Sequence, residues 1–493
     1  MINNTIGGLM KRCFFLLILI FNHYLLFATA KESIFKEYDI RGVVGTEFEV
    51  QDMHDIACAI ATYFLEKDAS IKTIALGADG RIHSPSIKQH IRQALLERGF
   101  NVVDIGTCTT PILYFTLHTC PVDAGLMITA SHNPGEYNGI KICRGIHSVS
   151  GPEIKRIRDL YLNKQWIEQQ EQVGSYQEVD MIARYVQYLA TLFPHLVGAN
   201  FNAIIDCGNG AAGTVLPLLL QRMQWTNVKL LYAEVDGAYP HHIADPTVEK
   251  YMQDLRVALA NSAAELGLGF DGDCDRMAPM AKSGQLVKGD QLLTIYSKGI
   301  LEQYPGSSIV FDISSSLVLH DVVRKWGGIP VLSSTGIAQI KKKMAEAKAL
   351  IGGEISCHTV FKDRYFGFDD GIYSMMRLFE LLQMTGQTLD HLLTEFPSAF
   401  SSPTYRLPCE RSVCLRIISH LQEYFSQFQD VELITIDGLR IHFPYGWAIV
   451  RASNTEPVMS MRLEGNTVED LNRMKKEFYD LINPYMDCSL LLK

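Results

Sequence analysis

The chain has 493 residues, 47% of them hydrophobic and 20% charged, and a formal net charge of −9. This length allows several buried cores, about three or four domains at ~150 residues each. The negative charge, with no zinc-finger spacing and no long Lys/Arg run, argues against nonspecific nucleic-acid binding, so an anionic ligand needs a locally cationic pocket. Eleven cysteines are scattered without paired spacing, several inside apolar runs (Cys58, Cys207), which fits a reducing compartment better than a disulfide framework.

The N-terminus points the other way. Lys11-Arg12 precede an apolar run from Cys13 to Phe27, broken only by Asn22-His23, and Ala28-Thr29-Ala30 is a small-residue A-x-A site. Residues 1–30 therefore resemble a secretory signal peptide, and the run is short for a spanning helix. A downstream start of translation and an interfacial anchor are the alternatives; any membrane contact is expected only through this segment, if it is retained.

Three segments then share one pattern, an apolar strand ending in Asp: Thr73 to Asp79, Asn202 to Asp206 and Ser308 to Asp312. Each is followed by a helical stretch, a second strand (Asn101 to Ile105, Val228 to Val235, Ile329 to Leu332), another helical stretch and a third strand. The expected fold class is α/β, with three similar α/β units with mixed sheets around a shared cleft, because ligands gather beyond the carboxyl ends of such strands. Beyond about residue 398 the pattern changes to alternating strands, a smaller C-terminal α+β domain.

The third strands end in three polar loops: Thr129 to Pro134, Asp271 to Arg276, and Gly353 to His358. In the first, the apolar run Ala124 to Thr129 is halted by the turn formers after Ser131, which lifts that hydroxyl out of the sheet. A serine becomes a useful nucleophile or phosphate carrier only when a base, a metal or fixed cations adjust it. The second loop, Asp271-Gly272-Asp273-Cys274-Asp275-Arg276, puts three carboxylates at alternate positions; hard oxygen ligands crowded this way suit Mg²⁺. An EF-hand fails, because Arg276 stands where that loop needs Gly and Lys282 where it needs Glu. The third loop offers Glu354, Ser356 and His358 to sugar hydroxyls, and His358 is suited to moving protons near neutral pH. Near the end, Arg451-Ala452-Ser453-Asn454-Thr455 joins two strands and combines an Arg fork with hydroxyls and an amide, a compact phosphate cradle.

These motifs resemble the alpha-D-phosphohexomutase family, in its bacterial phosphomannomutase/phosphoglucomutase branch. The resemblance runs from about Ile34 to the C-terminal domain and is strengthened by Glu37-Tyr38-Asp39-Ile40-Arg41-Gly42 and by Phe366 to Gly371. It implies a phosphoserine domain (31–178), a metal-binding domain (179–284), a sugar-binding domain (285–397) and a phosphate-binding domain (398–493). Ser131 would carry the phosphoryl group, with Mg²⁺ held by Asp271, Asp273, Asp275 and, through a phosphate oxygen, Ser131. Hexose 1- and 6-phosphates would interconvert through a 1,6-bisphosphate, which also serves as activator. Ser131, Arg41, His132, Lys141 and His358 are the expected catalytic residues, with Lys141, Arg41 and His358 all open as general acid or base. Tyr38, Arg276, Glu354, Ser356, His358, Arg451, Ser453, Asn454 and Thr455 are expected to bind substrate.

The resemblance also implies partners and location: small hexose phosphates, no nucleic acid, a monomer, and a cytoplasmic site of action. It departs from the family pattern in two ways. Cys357 stands where a Gly is usual, and the usual cations are absent at Ser314, Leu317, Ser334 and Ile337. A weakened, non-enzymatic sugar-phosphate-binding homologue is therefore one alternative. An NAD-dependent dehydrogenase is the other, on the strength of Gly208-Asn209-Gly210-Ala211-Ala212-Gly213 after a strand, with Glu234 further on.

Overall fold

The computed structural model describes residues 30–397, 399–453 and 457–492. Residues 1–29 of the signal-like segment, and Asn454 and Thr455 of the cradle, lie outside the described residues. Among the described residues no helix is long and apolar enough to cross a membrane, and ten cysteines are unpaired.

The first three sheets follow one four-strand plan. In the first, Thr73–Ala78 lies between Asn101–Thr107 and Ala124–Ile128, parallel to both, and Tyr137–Arg144 returns antiparallel against Ala124–Ile128. In the second, Ala203–Asp206 lies between Val228–Leu231 and Leu266–Phe270, and Met277–Ala281 returns. In the third, Ser308–Asp312 lies between Ile329–Ser333 and Ile351–Gly353, and Thr359–Phe361 returns. Ala124–Ile128 and Leu266–Phe270 are buried along their whole length, which is why they read as continuous apolar runs and not as alternating ones.

Each polar loop is thus the turn from a buried parallel strand into an antiparallel return strand. Each also holds one residue other than glycine in the left-handed region: Ser131 at φ 51°, Cys274 at 64° and Cys357 at 69°. Backbone of this kind is sparsely populated and is held in place by its surroundings. At position 357 it is a conformation that glycine would adopt without penalty.

One expected strand is shorter than the sequence implies. Val228 to Val235 stops at Leu231 because Tyr232 turns at φ 50° and stacks its ring on His241, 3.8 Å between centroids. Nor does the glycine-rich run open a helix directly. A short 3-10 turn, Ala211–Thr214, intervenes, and Gly210 and Gly213 are needed for packing: a Cβ on them would stand 2.9 Å from Gly272 O and 2.0 Å from Ala233 O. Gly210 packs against the Asp271 to Arg276 loop and Gly213 against Ala233, and the run does not open directly into a helix as a dinucleotide fingerprint requires, which counts against the dehydrogenase reading.

The C-terminal sheet is antiparallel, in the order Phe400–Ser401, Val458–Gly465, Gly446–Ala452, Leu439–Phe443, Glu432–Ile434. Along Gly446–Ala452 the pattern alternates. Ala448 and Val450 join the core under helices Arg411–Phe425 and Val468–Ile482, while Trp447 and Ile449 pack against Ile313 of the third unit.

That second face carries a buried polar dock on the segment where the family's cations are absent. Arg440 donates to Ile313 O at 2.5 Å and Ser315 O at 2.7 Å, and its guanidinium lies 3.8 Å from the centre of the Trp447 ring. Arg462 donates to Ser314 O at 2.7 Å and Asp290 at 3.1 Å, and Ser316 Oγ to Glu464 at 2.6 Å. Residues 314–316 thus seat the last domain.

His442 supports this dock: its Nε2 accepts from Arg440 Nε at 2.8 Å, which requires an unprotonated ring nitrogen. Burial and then the Arg440 charge hold its pKa down to about 4. In the unfolded chain it titrates near 6.5, so between those values the unfolded state takes up the proton first. The stabilisation is complete above pH 6.5 and is lost as pH falls toward 4, worth about 2 kcal/mol after allowing for partial exposure. Urea unfolding of wild type and His442→Gln across pH 7.5 to 4 is expected to show the wild type's advantage shrinking over that window; parallel curves would contradict it.

Candidate active site

Ser131 leaves the end of Ala124–Ile128 and is 2% exposed. Its Oγ donates to Asp271 Oδ2 at 2.9 Å, and His132 Nδ1 lies 3.1 Å from Ser131 Oγ. Burial, then the charges of Arg276 and Arg41, keep the His132 pKa well below the ordinary histidine value. The ring is neutral at pH 7. With the hydroxyl proton given to Asp271, the Nδ1–H tautomer of His132 donates to Oγ.

Asp271, Asp273 and Asp275 are buried, with carboxylate oxygens within 4.8 Å of one another. Burial and the charges of Asp275 and Asp273 push the Asp271 pKa well above the usual range. Burial also opposes ionisation of Asp273 and Asp275, but Lys141, together with Thr110 at Asp273 and with His358 and Arg276 at Asp275, more than offsets it, and Asp275 falls to about 2. The Lys141 ammonium donates to Asp273 at 2.7 Å and Asp275 at 2.6 Å. Burial disfavours that charge too, yet the two carboxylates hold the Lys141 pKa well above the ordinary value. Asp273 Oδ1 and Asp275 Oδ1 are buried without hydrogen-bond partners. Hard oxygen donors left unsatisfied in a buried cluster fit a divalent cation.

The metal loop and the sugar loop meet directly. Arg276 pairs with His358 as an isolated β-bridge, and its Nε donates to His358 Nε2 at 3.0 Å. On the other side of the ring, His358 Nδ1 lies 3.3 Å from Asp369 Oδ2, and Asp369 is paired with Lys341 at 3.2 Å. Glu354 is buried and accepts from Gly336 N at 2.6 Å, and burial raises its pKa. Ser356 is half-buried in the same turn.

The rim closes through the first and fourth domains. Arg41 is paired with Asp39 and donates to Asn133 Oδ1 at 2.7 Å, tying it to the serine loop. Tyr38 OH donates to Thr335 O at 3.1 Å, while Asp437 accepts from Thr335 N at 3.1 Å and pairs with Arg451 at 3.1 Å. Ser453 N donates to Val458 O at 3.0 Å, holding the described start of the cradle on its sheet.

Ser131, His132, Asp271, Asp273, Asp275, Lys141, Arg276, His358 and, through Asn133, Arg41 are thus linked, and Tyr38, Glu354 and Arg451 meet around Thr335 and Gly336, while Ser356 and Ser453 adjoin them in sequence only. Asp369 and Asp437 were not legible in advance. Asp369 lies in the Phe366 to Gly371 segment, whose similarity to the family was the only signal for it, and Asp437 sits in an ordinary-looking turn.

Three similar α/β domains, a fourth smaller domain, a buried serine beside an acidic triad and an arginine-bearing loop across the cleft define an alpha-D-phosphohexomutase. The chain belongs to the phosphoglucomutase/phosphomannomutase family: residues 32–168, 183–284 and 288–400 match its alpha/beta/alpha domains I, II and III, and 415–481 its C-terminal domain. It is 36% identical over 453 residues to the phosphomannomutase/phosphoglucomutase of Pseudomonas aeruginosa, covering 91% of this chain and 95% of that one. A phosphoglucomutase/phosphomannomutase family protein from Burkholderia thailandensis superposes with a TM-score of 0.85 at 30% identity, covering 93% and 99%. The same fold recurs in Aspergillus fumigatus N-acetylphosphoglucosamine mutase, solved with GlcNAc-6P and magnesium, at a TM-score of 0.60 and 15% identity, covering 91% and 95%. Relatives bearing these names are isomerase-class phosphotransferases.

Proposed function

We propose that the protein interconverts hexose 1-phosphates and hexose 6-phosphates, with Ser131 as phosphoryl carrier and a hexose 1,6-bisphosphate as intermediate. The observation that carries this reading is the buried Ser131 hydroxyl 2.9 Å from Asp271, within a cluster that continues through Arg276 to the His358 loop. Mg²⁺ is the ion we assign to Asp271, Asp273, Asp275 and the phosphorylated Ser131; when bound, it neutralises charge on the transferring phosphoryl group.

In the first half-reaction the bond from Ser131 Oγ to phosphorus breaks as phosphorus bonds to the free sugar hydroxyl, whose proton passes to a base. In the second, the sugar's other phosphate leaves for Ser131 Oγ and the proton returns to the sugar oxygen released. His358, backed by Asp369, is the group suited to that proton once Arg276 turns from its Nε2 to the phosphoryl oxygens. Lys141, held protonated by Asp273 and Asp275, and Arg41 and Arg276 steady the phosphoryl oxygens. His132, neutral, orients Oγ. Arg451, Ser453, Asn454 and Thr455 grip the distal phosphate, Tyr38 also binds substrate, and Glu354 and Ser356 read O3 and O4 in either orientation of the sugar. A cytoplasmic site of action belongs to the same reading, and the unpaired cysteines among the described residues support it.

Glucose and mannose differ at C2, which neither Glu354 nor Ser356 would read, so both sugars are expected to turn over with small selectivity. The cations missing at Ser314, Leu317, Ser334 and Ile337 weaken phosphate binding; one charge-assisted bond is worth about 1.5–3 kcal/mol, or roughly ten- to a hundred-fold in KM. Steady-state kinetics on mannose 1-phosphate, glucose 1-phosphate and glucosamine 1-phosphate with a bisphosphate activator test this. A preference for the glucosamine compound would overturn the substrate assignment, and no turnover of any would favour the weakened homologue.

A further inference from the structure

Arg81 follows the strand Thr73–Ala78 and has a fully buried side chain. A guanidinium carries five N–H donors in a rigid fork, and here all five find acceptors. Nε donates to Asp79 Oδ2 at 3.1 Å; Nη1 to Pro134 O at 2.7 Å and Tyr137 O at 3.0 Å; Nη2 to Ser131 O at 2.7 Å and Asn133 O at 2.6 Å. Four of the five acceptors are main-chain carbonyls, three in the serine loop and the fourth, Tyr137 O, at the start of the return strand. Asp79 is fixed in turn, accepting from Ser84 Oγ at 2.8 Å while its N–H donates to Ile128 O at 2.9 Å, at the end of the strand that delivers the loop.

The opposite sides of this fork are closed by the second unit. Tyr239 lies over the guanidinium, 5.2 Å from its ring centre, and a Cβ on Gly272 of the metal loop would stand 2.4 Å from Ser131 O. The serine's carbonyl is therefore clamped between Arg81 and the metal loop while its backbone is in the left-handed region.

We infer that Arg81 is the positioning residue of the phosphoryl carrier. It gathers the loop's carbonyls onto one rigid cation and so holds Ser131 at the φ that aims Oγ at Asp271. This rests on the proposed role of Ser131. Arg81 touches no reacting atom, so its loss affects the geometry of transfer and leaves the grip of Glu354 and Arg451 on the sugar phosphate in place. Lysine keeps the charge facing Asp79 but has no planar fork and cannot hold four carbonyls together.

The test is the full-length protein carrying Arg81→Lys, and a second variant, Asp79→Asn with Arg81→Gln, which removes the buried charge pair together. Each is assayed with glucose 1-phosphate and glucose 1,6-bisphosphate, with melting and the extent of Ser131 phosphorylation followed in parallel. For Arg81→Lys a fall in kcat of about 10²-fold is expected, the scale of an ångström's misplacement, with KM within a few-fold of wild type and incomplete phosphorylation of Ser131 in a folded protein. Adding guanidinium to Arg81→Ala is expected to recover part of kcat. Wild-type kcat in Arg81→Lys overturns the inference, as does failure of every variant to accumulate folded, since Arg81 would then be a folding element only. Absence of Ser131 phosphorylation in the wild type is a different outcome: it removes the proposed function and, with it, the carrier that Arg81 would position.

Discussion

Replacing Ser131 by alanine is expected to reduce turnover by at least ~10⁴-fold, about 5.5 kcal/mol of barrier, while the protein remains folded. The substitution removes the one oxygen that would accept the phosphoryl group, and no neighbour replaces it. His132 is neutral and tied to that oxygen, and Lys141 is locked onto Asp273 and Asp275. The fold should tolerate the change because alanine pays a similar price to serine for φ 51°, and the lost hydrogen bond to Asp271 is worth about 1 kcal/mol. A melting temperature near wild type with abolished activity, even in excess bisphosphate, is the expected pair of readings. Substantial activity would return Ser131 to the status of an ordinary turn residue.

Chelation is expected to lower activity by about 10²–10³-fold, the scale of deleting a preorganised charge-stabilising group, and added Mg²⁺ to restore it, with Zn²⁺ a poor substitute. The physical case lies in the charge count. Three buried carboxylates face two nearby cations, Lys141 and Arg276, with Asp273 Oδ1 and Asp275 Oδ1 unsatisfied. Without a further cation, burial and the charges of Asp275 and Asp273 push Asp271 toward its neutral form. A phosphorylated Ser131 adds more negative charge to the same spot, which a divalent cation would neutralise. Rates unchanged after exhaustive chelation would leave the acidic cluster with a structural role alone.

The architecture was legible because it repeats. Apolar strands ending in Asp mark the start of each unit, and in open sheets the ends of the strands are where polar loops become sites. Ser131, Asp271 to Asp275, and Glu354 to His358 were found because each set is contiguous in sequence. The return strands are harder to read: Tyr137–Arg144 mixes Asn, Gly and Lys with its apolar positions, and Met277–Ala281 contains Pro279. Asp437 and Arg81 carry no local signal for another reason. Each acts on groups distant in sequence, Asp437 on Thr335 and Arg81 on the loop from Ser131 to Tyr137, and local pattern does not encode those contacts. The absence of cations at Ser314, Leu317, Ser334 and Ile337 points, from sequence, to fewer groups for binding phosphate. The structure adds that the backbone of 313–316 receives Arg440 and Arg462, so the segment also joins the third and fourth domains.

The most direct measurement is mass spectrometry of the protein after incubation with glucose 1,6-bisphosphate, with peptides mapped across the serine loop and the sample chased with glucose 1-phosphate. Phosphate on Ser131 that forms with bisphosphate and turns over in the chase is the expected result. A catalytically active protein in which Ser131 is never phosphorylated would contradict the mechanism.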